Sequence, residues 1–280
     1  MPNPPLPIPP APISSDRVAR RRHPENGSVD NSVNNSASGS RPTNAPKWFS
    51  CAASELGHVR KVNEDSFLDA REEALWVVAD GMGGHSRGDR ASQVIIETMS
   101  SFKSQENALQ SVDDLLDRLN KANDTCRQVA QGKVMGSTVA TLYLNKDSAY
   151  ILWAGDSRIY RHRHGEFSQL TDDHSLVQEL CRLGELTPEE AENHPSSNVI
   201  TRAIGVSDEI DIQVRQVDLQ PGDRFLLCSD GLFKDVKPAE VANNLALPSP
   251  RQALDELVKL ALRRGGTDNV TAIVVQMAIA

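Results

Sequence analysis

Carboxylates recur in this sequence at the ends of apolar runs, beside small residues. Leu75–Ala79 runs into Asp80, Gly81, Met82 and Gly83; Phe225–Ser229 runs into Asp230 and Gly231; Tyr150–Ala154 runs into Gly155 and Asp156. Asp268 stands just ahead of an apolar run that starts at Val270, and Glu64 and Asp65 close a polar loop that begins at Arg60. If these ends meet, several carboxylates share one site, and like charges a few ångströms apart do not all stay ionised without compensation. Basic neighbours are few, which leaves metal cations to supply it. An all-oxygen set, with no Cys or His at ligand spacing, selects hard ions such as Mg²⁺ or Mn²⁺. Two such ions about 3.5–4 Å apart, sharing one carboxylate, would ionise a bridging water and clamp a phosphoryl group for in-line attack. Arg60, close to Glu64 and Asp65, would offer its fork of donors to phosphate oxygens.

The elements that must position these groups can be read from periodicity. Apolar runs predict strands over Trp48–Ser54, Ser66–Leu68, Leu75–Ala79, Ser137–Leu144, Ser148–Ala154, Arg158–Arg163, Phe167–Leu170, Ile212–Val217, Arg224–Cys228 and Val270–Ala280. The first of the acidic strands is expected to stop on Asp80, with the glycines after it forming a turn. Helical stripes cover Asp89–Phe102, Ser111–Gln131, with Val112, Leu115, Leu116, Leu119 and Val129 on one side, and Ser175–Leu183. Thr187, Pro188 and Glu190 make the start signal of a short helix, and Pro238–Leu245 and Pro250–Arg264 read as two more. Strands come in neighbouring runs joined by hairpin turns, and helices come in pairs. That is an α+β pattern of antiparallel sheet with helices layered on it, not an alternation of βαβ units.

Composition narrows the class. The first 46 residues hold ten of the sixteen prolines and no Phe, Trp or Tyr. Such a tail buries too little to offset its ordering entropy and is expected to be disordered, with Arg20–Arg22 a solvated basic cluster. The domain is then 47–280. The tail carries a net charge of +2 and the rest −10, an acidic body that argues against nucleic acid as partner. The four cysteines are far apart, so a thiolate zinc site is not expected, and no apolar stretch reaches membrane length. The expected location is the cytoplasm.

Eight segments now occur in a recognisable order: Arg60–Asp65, Val78–Gly84, Gly136–Thr138, Ala154–Arg158, Leu170–Ser175, Ile200–Gly205, Cys228–Leu232 and Gly266–Thr271. Over about residues 48–280 the chain closely resembles the bacterial form of the metal-dependent serine/threonine protein phosphatases, the PPM or type 2C family. The resemblance implies a four-layer αββα sandwich, two central antiparallel sheets flanked by helices. It implies a protein phosphatase that hydrolyses phosphoserine and phosphothreonine with a water or hydroxide bridging two Mn²⁺ or Mg²⁺ ions, without a covalent phosphoenzyme. Asp80 would bridge both ions, Asp230 and Asp268 would bind the first, and the Gly81 carbonyl the second. Glu64 and Asp65 would act near them through water. Asp156 with Asp230 would take a third, weaker ion. Arg60 would bind the substrate phosphate, Asn269 would support the ligands from behind, and about 172–207 would be the mobile flap at the substrate entrance. Phosphorylated proteins are the implied partners and a serine/threonine kinase the implied counterpart, with a monomer expected.

Some eukaryotic members carry a histidine two residues after the bridging aspartate as the acid for the leaving alkoxide. Here that position is Met82; His85 is a candidate substitute, and a surface role for it is the simpler expectation. His162 and His164 read as exposed, and His174 as a packing residue of the flap. Two rivals remain. Gly155, Asp156 and Ser157 resemble the nucleophile block of a serine esterase family, which would require Ser157 beside a histidine and an acid. A phosphatase-like domain without activity would serve as a binding or sensor module, but that reading conflicts with an intact Asp80, Asp230 and Asp268.

Overall fold

The structure, a computed structural model, describes residues 48–83, 87–192 and 194–278. The N-terminal tail and His85 lie outside them. Two sheets form the centre, and every strand pairing is antiparallel. Numbered along the chain, the strands are β1 (Trp48–Glu55), β2 (Asp65–Ala70), β3 (Leu75–Met82), β4 (Gly136–Ser137), β5 (Val139–Asn145), β6 (Ser148–Ala154), β7 (Arg158–Arg163), β8 (Glu166–Gln169), β9 (Gln213–Asp218), β10 (Arg224–Cys228) and β11 (Val270–Met277). One sheet runs β1-β11-β10-β7-β8 and the other β2-β3-β5-β6-β9, with β4 added to β3. The helices are α1 (Gly88–Ser100), α2 (Ala108–Ala130), α3 (Leu176–Arg182), α4 (Pro188–Glu192), α5 (Asp230–Phe233), α6 (Pro238–Leu245) and α7 (Pro250–Arg264).

Period-two alternation explains the four layers. On β3, Leu75, Val77 and Ala79 join the core under α1 and α2, whereas Trp76 and Val78 point the other way into the core between the sheets. On β10, Leu226 and Cys228 meet α5, α6 and α7, and Phe225 and Leu227 enter the same inter-sheet core. Strands covered on both faces read as continuous apolar runs, which is why these stretches show no alternation in sequence. The αββα sandwich is thus present.

Some boundaries differ from the sequence reading. β3 continues through Asp80 and Gly81 to Met82, because Asp65 pairs with Asp80 on one side and Ser137 with Gly81 on the other. The run expected as one strand from Ser137 breaks at Thr138, and β11 ends at Met277. On α2, Val129 is exposed; the buried stripe instead follows Leu115, Leu119, Ala122 and Cys126. His162 is half-buried rather than exposed, while His164 is exposed in the hairpin turn. α5 was not foreseen: four residues are too few for a helical stripe to show.

Candidate functional site

The inter-sheet core ends in polar groups, and the same alternation puts them there. Continuing Trp76 and Val78 by two residues gives Asp80, and continuing Phe225 and Leu227 gives Ser229. Asp65 lies directly opposite Asp80 in the β2–β3 register. Ser229 Oγ donates to Asp65 Oδ2 at 2.7 Å and accepts the Thr271 N–H at 3.0 Å, tying the two sheets together at this end. Asp230 opens α5. The next residue, Gly231, is pressed onto the start of β11: a Cβ there would stand 2.0 Å from the Asn269 carbonyl oxygen and 3.3 Å from Asp268 Cβ. Asp230 and Asp268 are neighbours because no side chain separates their backbones. Gly231→Ala is therefore expected to cost about 3 kcal/mol or more, since the obstacle is backbone and cannot yield; equilibrium denaturation checks this, and an unchanged stability would contradict it.

Asp156 lies between β6 and β7, where the chain passes from one sheet to the other. Thr138 Oγ1 accepts the Asp80 N–H at 3.1 Å and hydrogen-bonds Ser157 Oγ at 2.6 Å, so one threonine holds Asp80 and the residue after Asp156. Gly81 lies under a backbone crossing: a Cβ on it would fall 2.0 Å from the Gly88 carbonyl oxygen and 2.6 Å from that of Glu64. Glu64 itself stands against the first turn of α1, next to Gly88.

Electrostatics record the crowding. Burial, then Asp65, Asp230, Asp156 and Asp268, raise the Asp80 carboxyl well above its ordinary value. Burial pushes Asp65 up to about 7, with hydrogen bonds from Ser229 and Thr271 pulling the other way. Burial and then Asp230 push Asp156 up to about 7. Two basic side chains answer this charge. Arg60 Nη2 donates to Asp268 Oδ2 at 2.7 Å, and Lys234 Nζ donates to Asp230 Oδ2. Among the described residues, no three Asp, Glu, His or Cys side chains stand at the mutual spacing of a closed ion cage. The oxygens of Asp268 and Asp230 are turned onto Arg60 and Lys234 instead. The donor chemistry nevertheless fits hard divalent ions: Asp80, Asp65, Asp156, Asp230 and Asp268 offer only oxygen, and Asp156 Oδ1 is buried with no hydrogen-bond partner.

Asn269 has a definite position. Its Oδ1 accepts the Glu64 N–H at 2.9 Å, and its Nδ2 donates to the carbonyls of Leu56 and Val62 at 3.0 and 3.1 Å. It thereby staples the Arg60 loop to the segment that carries Asp268 into β11.

The sequence profile of the family described as protein phosphatase 2C matches residues 57–270. The chain belongs to the protein phosphatase 2C family. The serine/threonine protein phosphatase PstP of Mycobacterium tuberculosis is 37% identical over 232 residues, which are 80% of this chain and 44% of PstP, so the chain spans less than half of that relative. A solved structure of PppA, described as a key regulatory component of T6SS in Pseudomonas aeruginosa, is 42% identical with a TM-score of 0.77, covering 82% of this chain and 97% of that one. The catalytic domain of PstP in complex with two manganese ions is 33% identical with a TM-score of 0.75, covering 82% and 98%.

In this phosphatase 2C domain the stretch expected as the flap is anchored at both ends to the acidic strands. The His174 N–H donates to the Gly155 carbonyl at 2.9 Å, and its Nδ1 accepts the Gly155 N–H at 3.1 Å, with the ring stacked on Trp153. Burial holds this imidazole down at about 4, so it is neutral, accepts through Nδ1 and packs on Trp153. At the far end Ser137 and Ile204 exchange backbone hydrogen bonds at 2.9–3.0 Å. Ser157 is buried and spends its hydroxyl on Thr138; the nearby imidazole is taken by Gly155, which removes the esterase arrangement.

Four contributors were missed in the sequence: Thr138, Ser157, Ser229 and Lys234. The first three are small hydroxyls inside the motifs, Thr138 and Ser229 with no role of their own and Ser157 weighed only as an esterase nucleophile. Lys234 is four residues after Asp230, a spacing that signals an ion pair only once α5 is known to be helical.

Proposed function

We propose that the chain is a metal-dependent protein phosphatase that hydrolyses phosphoserine and phosphothreonine in proteins by in-line attack of water. One observation carries this reading: Asp65, Asp80, Asp156, Asp230 and Asp268 meet at one end of the inter-sheet core, where the other four disfavour the charge on Asp80. Two Mn²⁺ or Mg²⁺ ions would be held there, with Asp80 between them, Asp230 and Asp268 on the first, and the Gly81 carbonyl on the second. Asp65 and Glu64 would hold water beside them, and a third, weaker ion would fall to Asp156 and Asp230. When bound, the ions supply the Lewis acidity that ionises water and neutralises phosphoryl charge. The protein supplies the positioning: Ser229 fixes the Asp65 carboxylate, Thr138 fixes the Asp80 backbone, and Asn269 fixes the loop that presents Arg60.

Arg60 is half-exposed and paired on one nitrogen, which leaves donors for phosphate oxygens. His85 stays a candidate proton donor to the leaving alkoxide. The partners are phosphorylated proteins, with a serine/threonine kinase as counterpart and no nucleic acid. No helix among the described residues is long and apolar enough to cross a membrane.

The test is phosphate release from a phosphothreonine peptide with Mn²⁺ and with chelator. Metal-dependent turnover supports the reading; a folded protein without it would instead be a phosphopeptide-binding or sensor domain. Arg60→Ala is expected to raise KM and lower kcat/KM by about 10–100-fold, the worth of a charged hydrogen bond. Steady-state kinetics with both constants unchanged would remove Arg60 from the site.

A further inference from the structure

Lys234 is not used in the mechanism above, yet it lies among its carboxylates. Four residues after Asp230, at the C-terminal end of α5, it folds back along the helix onto Asp230 Oδ2. Its backbone is fixed too. The Lys234 N–H donates to the Asp230 carbonyl at 3.0 Å, and the preceding Phe233 lies under the Arg158 guanidinium, 3.6 Å from the ring centroid. Arg158 is in turn clamped by both oxygens of Asp173 at 2.6–3.1 Å and donates to the Tyr160 hydroxyl at 3.0 Å. The backbone that carries Lys234 is therefore held by the fold, and its side chain, 38% exposed, reaches back to Asp230.

Across from it is Asp156, 5% exposed, with Oδ1 buried and without a hydrogen-bond partner. Lys234 is the one cation among the main charged neighbours of Asp156, and Asp230 and Asp156 are the leading acidic neighbours of Lys234. A carboxylate this buried, with an unpaired oxygen, needs positive charge close by. Resting on the two-ion reading, we infer that Lys234 is a tethered cation that competes for the position between Asp156 and Asp230 and is what makes the third divalent ion there weak. A divalent ion at that position must approach an ammonium already paired there, and it must compete for the same Asp230 oxygen.

The test is calorimetric titration of the full chain with Mn²⁺ alone, in the wild type, Lys234→Met, Lys234→Gln and the double variant Lys234→Met/Asp156→Asn. Circular dichroism establishes that each is folded. Two ions are expected to bind the wild type tightly, with a third weak or unseen. Removing the ammonium is expected to tighten the third ion at least about tenfold in both single variants, and Asp156→Asn is expected to abolish that gain. A third-ion affinity that is the same with and without Lys234 overturns the inference, as does a gain that survives Asp156→Asn. A wild-type chain that binds no Mn²⁺ overturns the two-ion reading and this inference with it; two tight ions with an unmoved third overturn this inference alone.

Discussion

Asp80→Asn is expected to lower kcat/KM for a phosphothreonine peptide by at least about 10³-fold, roughly 4 kcal/mol of transition-state stabilisation, and at the same time to raise the melting temperature of the chelated protein. The two effects have one cause. Asp80 is crowded by Asp65, Asp156, Asp230 and Asp268, and burial already disfavours its charge. Asparagine keeps the shape and removes the charge, so the repulsion falls. A gain of about 1 kcal/mol corresponds to about 2–4 °C in a domain of this size. The backbone contacts of residue 80 with Thr138 do not depend on the side chain and should persist. Calorimetry and steady-state kinetics on the same preparation check both halves. Retained turnover would remove Asp80 from the centre; a large drop in melting temperature would mean that the carboxylate serves the fold and not the ions.

Chelated protein is expected to lose stability as the pH rises from about 5 to 7.5, while Mn²⁺ stabilises it progressively more over the same window. Asp65 and Asp156 titrate near 7 in the folded state against 3.8 for the ordinary group, and Asp80 is raised as well. A carboxyl whose folded value is raised keeps a proton that the unfolded chain has released. Its stabilising contribution is present at low pH and is lost as the pH climbs through the folded value. His174 opposes this. Its folded value of about 4 lies below the ordinary 6.5, so it favours folding more as the pH rises, but only up to about 6.5. Three carboxyls outweigh one imidazole, and above that point nothing from His174 opposes them. Metal binding needs the carboxylates ionised, so it releases protons and strengthens with pH. The melting temperature difference between Mn²⁺-loaded and chelated protein is expected to widen by about 4–8 °C across the window, the shift that about 2 kcal/mol produces. A difference that stays flat or narrows would show that these acids are not the ones the metal engages.

Both predictions depend on groups that were largely readable before any coordinates. The acidic residues at strand ends, the antiparallel pattern and the limits of α6 and α7 follow from local signals: a Pro in the first turn of each helix and a Ser249 cap on the second. What sequence did not show is set by pairing across the chain. That β3 runs on through Asp80 depends on Asp65 lying opposite Asp80 and Ser137 opposite Gly81, 15 and 56 residues away in the chain. The exposure of Val129 reflects which flank of α2 meets α1 and the sheet, which periodicity alone leaves open by one helical position. The link from Ser229 to Asp65 spans 164 residues and no spacing rule reaches it. Lys234 hid for a different reason, since a four-residue helix gives no stripe, and its ion pair with Asp230 became visible only in three dimensions.

The central claim is that Asp80, Asp230 and Asp268 hold a pair of divalent ions. Anomalous scattering from crystals of this chain grown with Mn²⁺ tests it most directly. Two strong peaks beside one another are expected, with Asp80 reaching both and Asp230 and Asp268 on the first. Peaks located away from these side chains, or a single ion that leaves Asp80 unengaged, would contradict it.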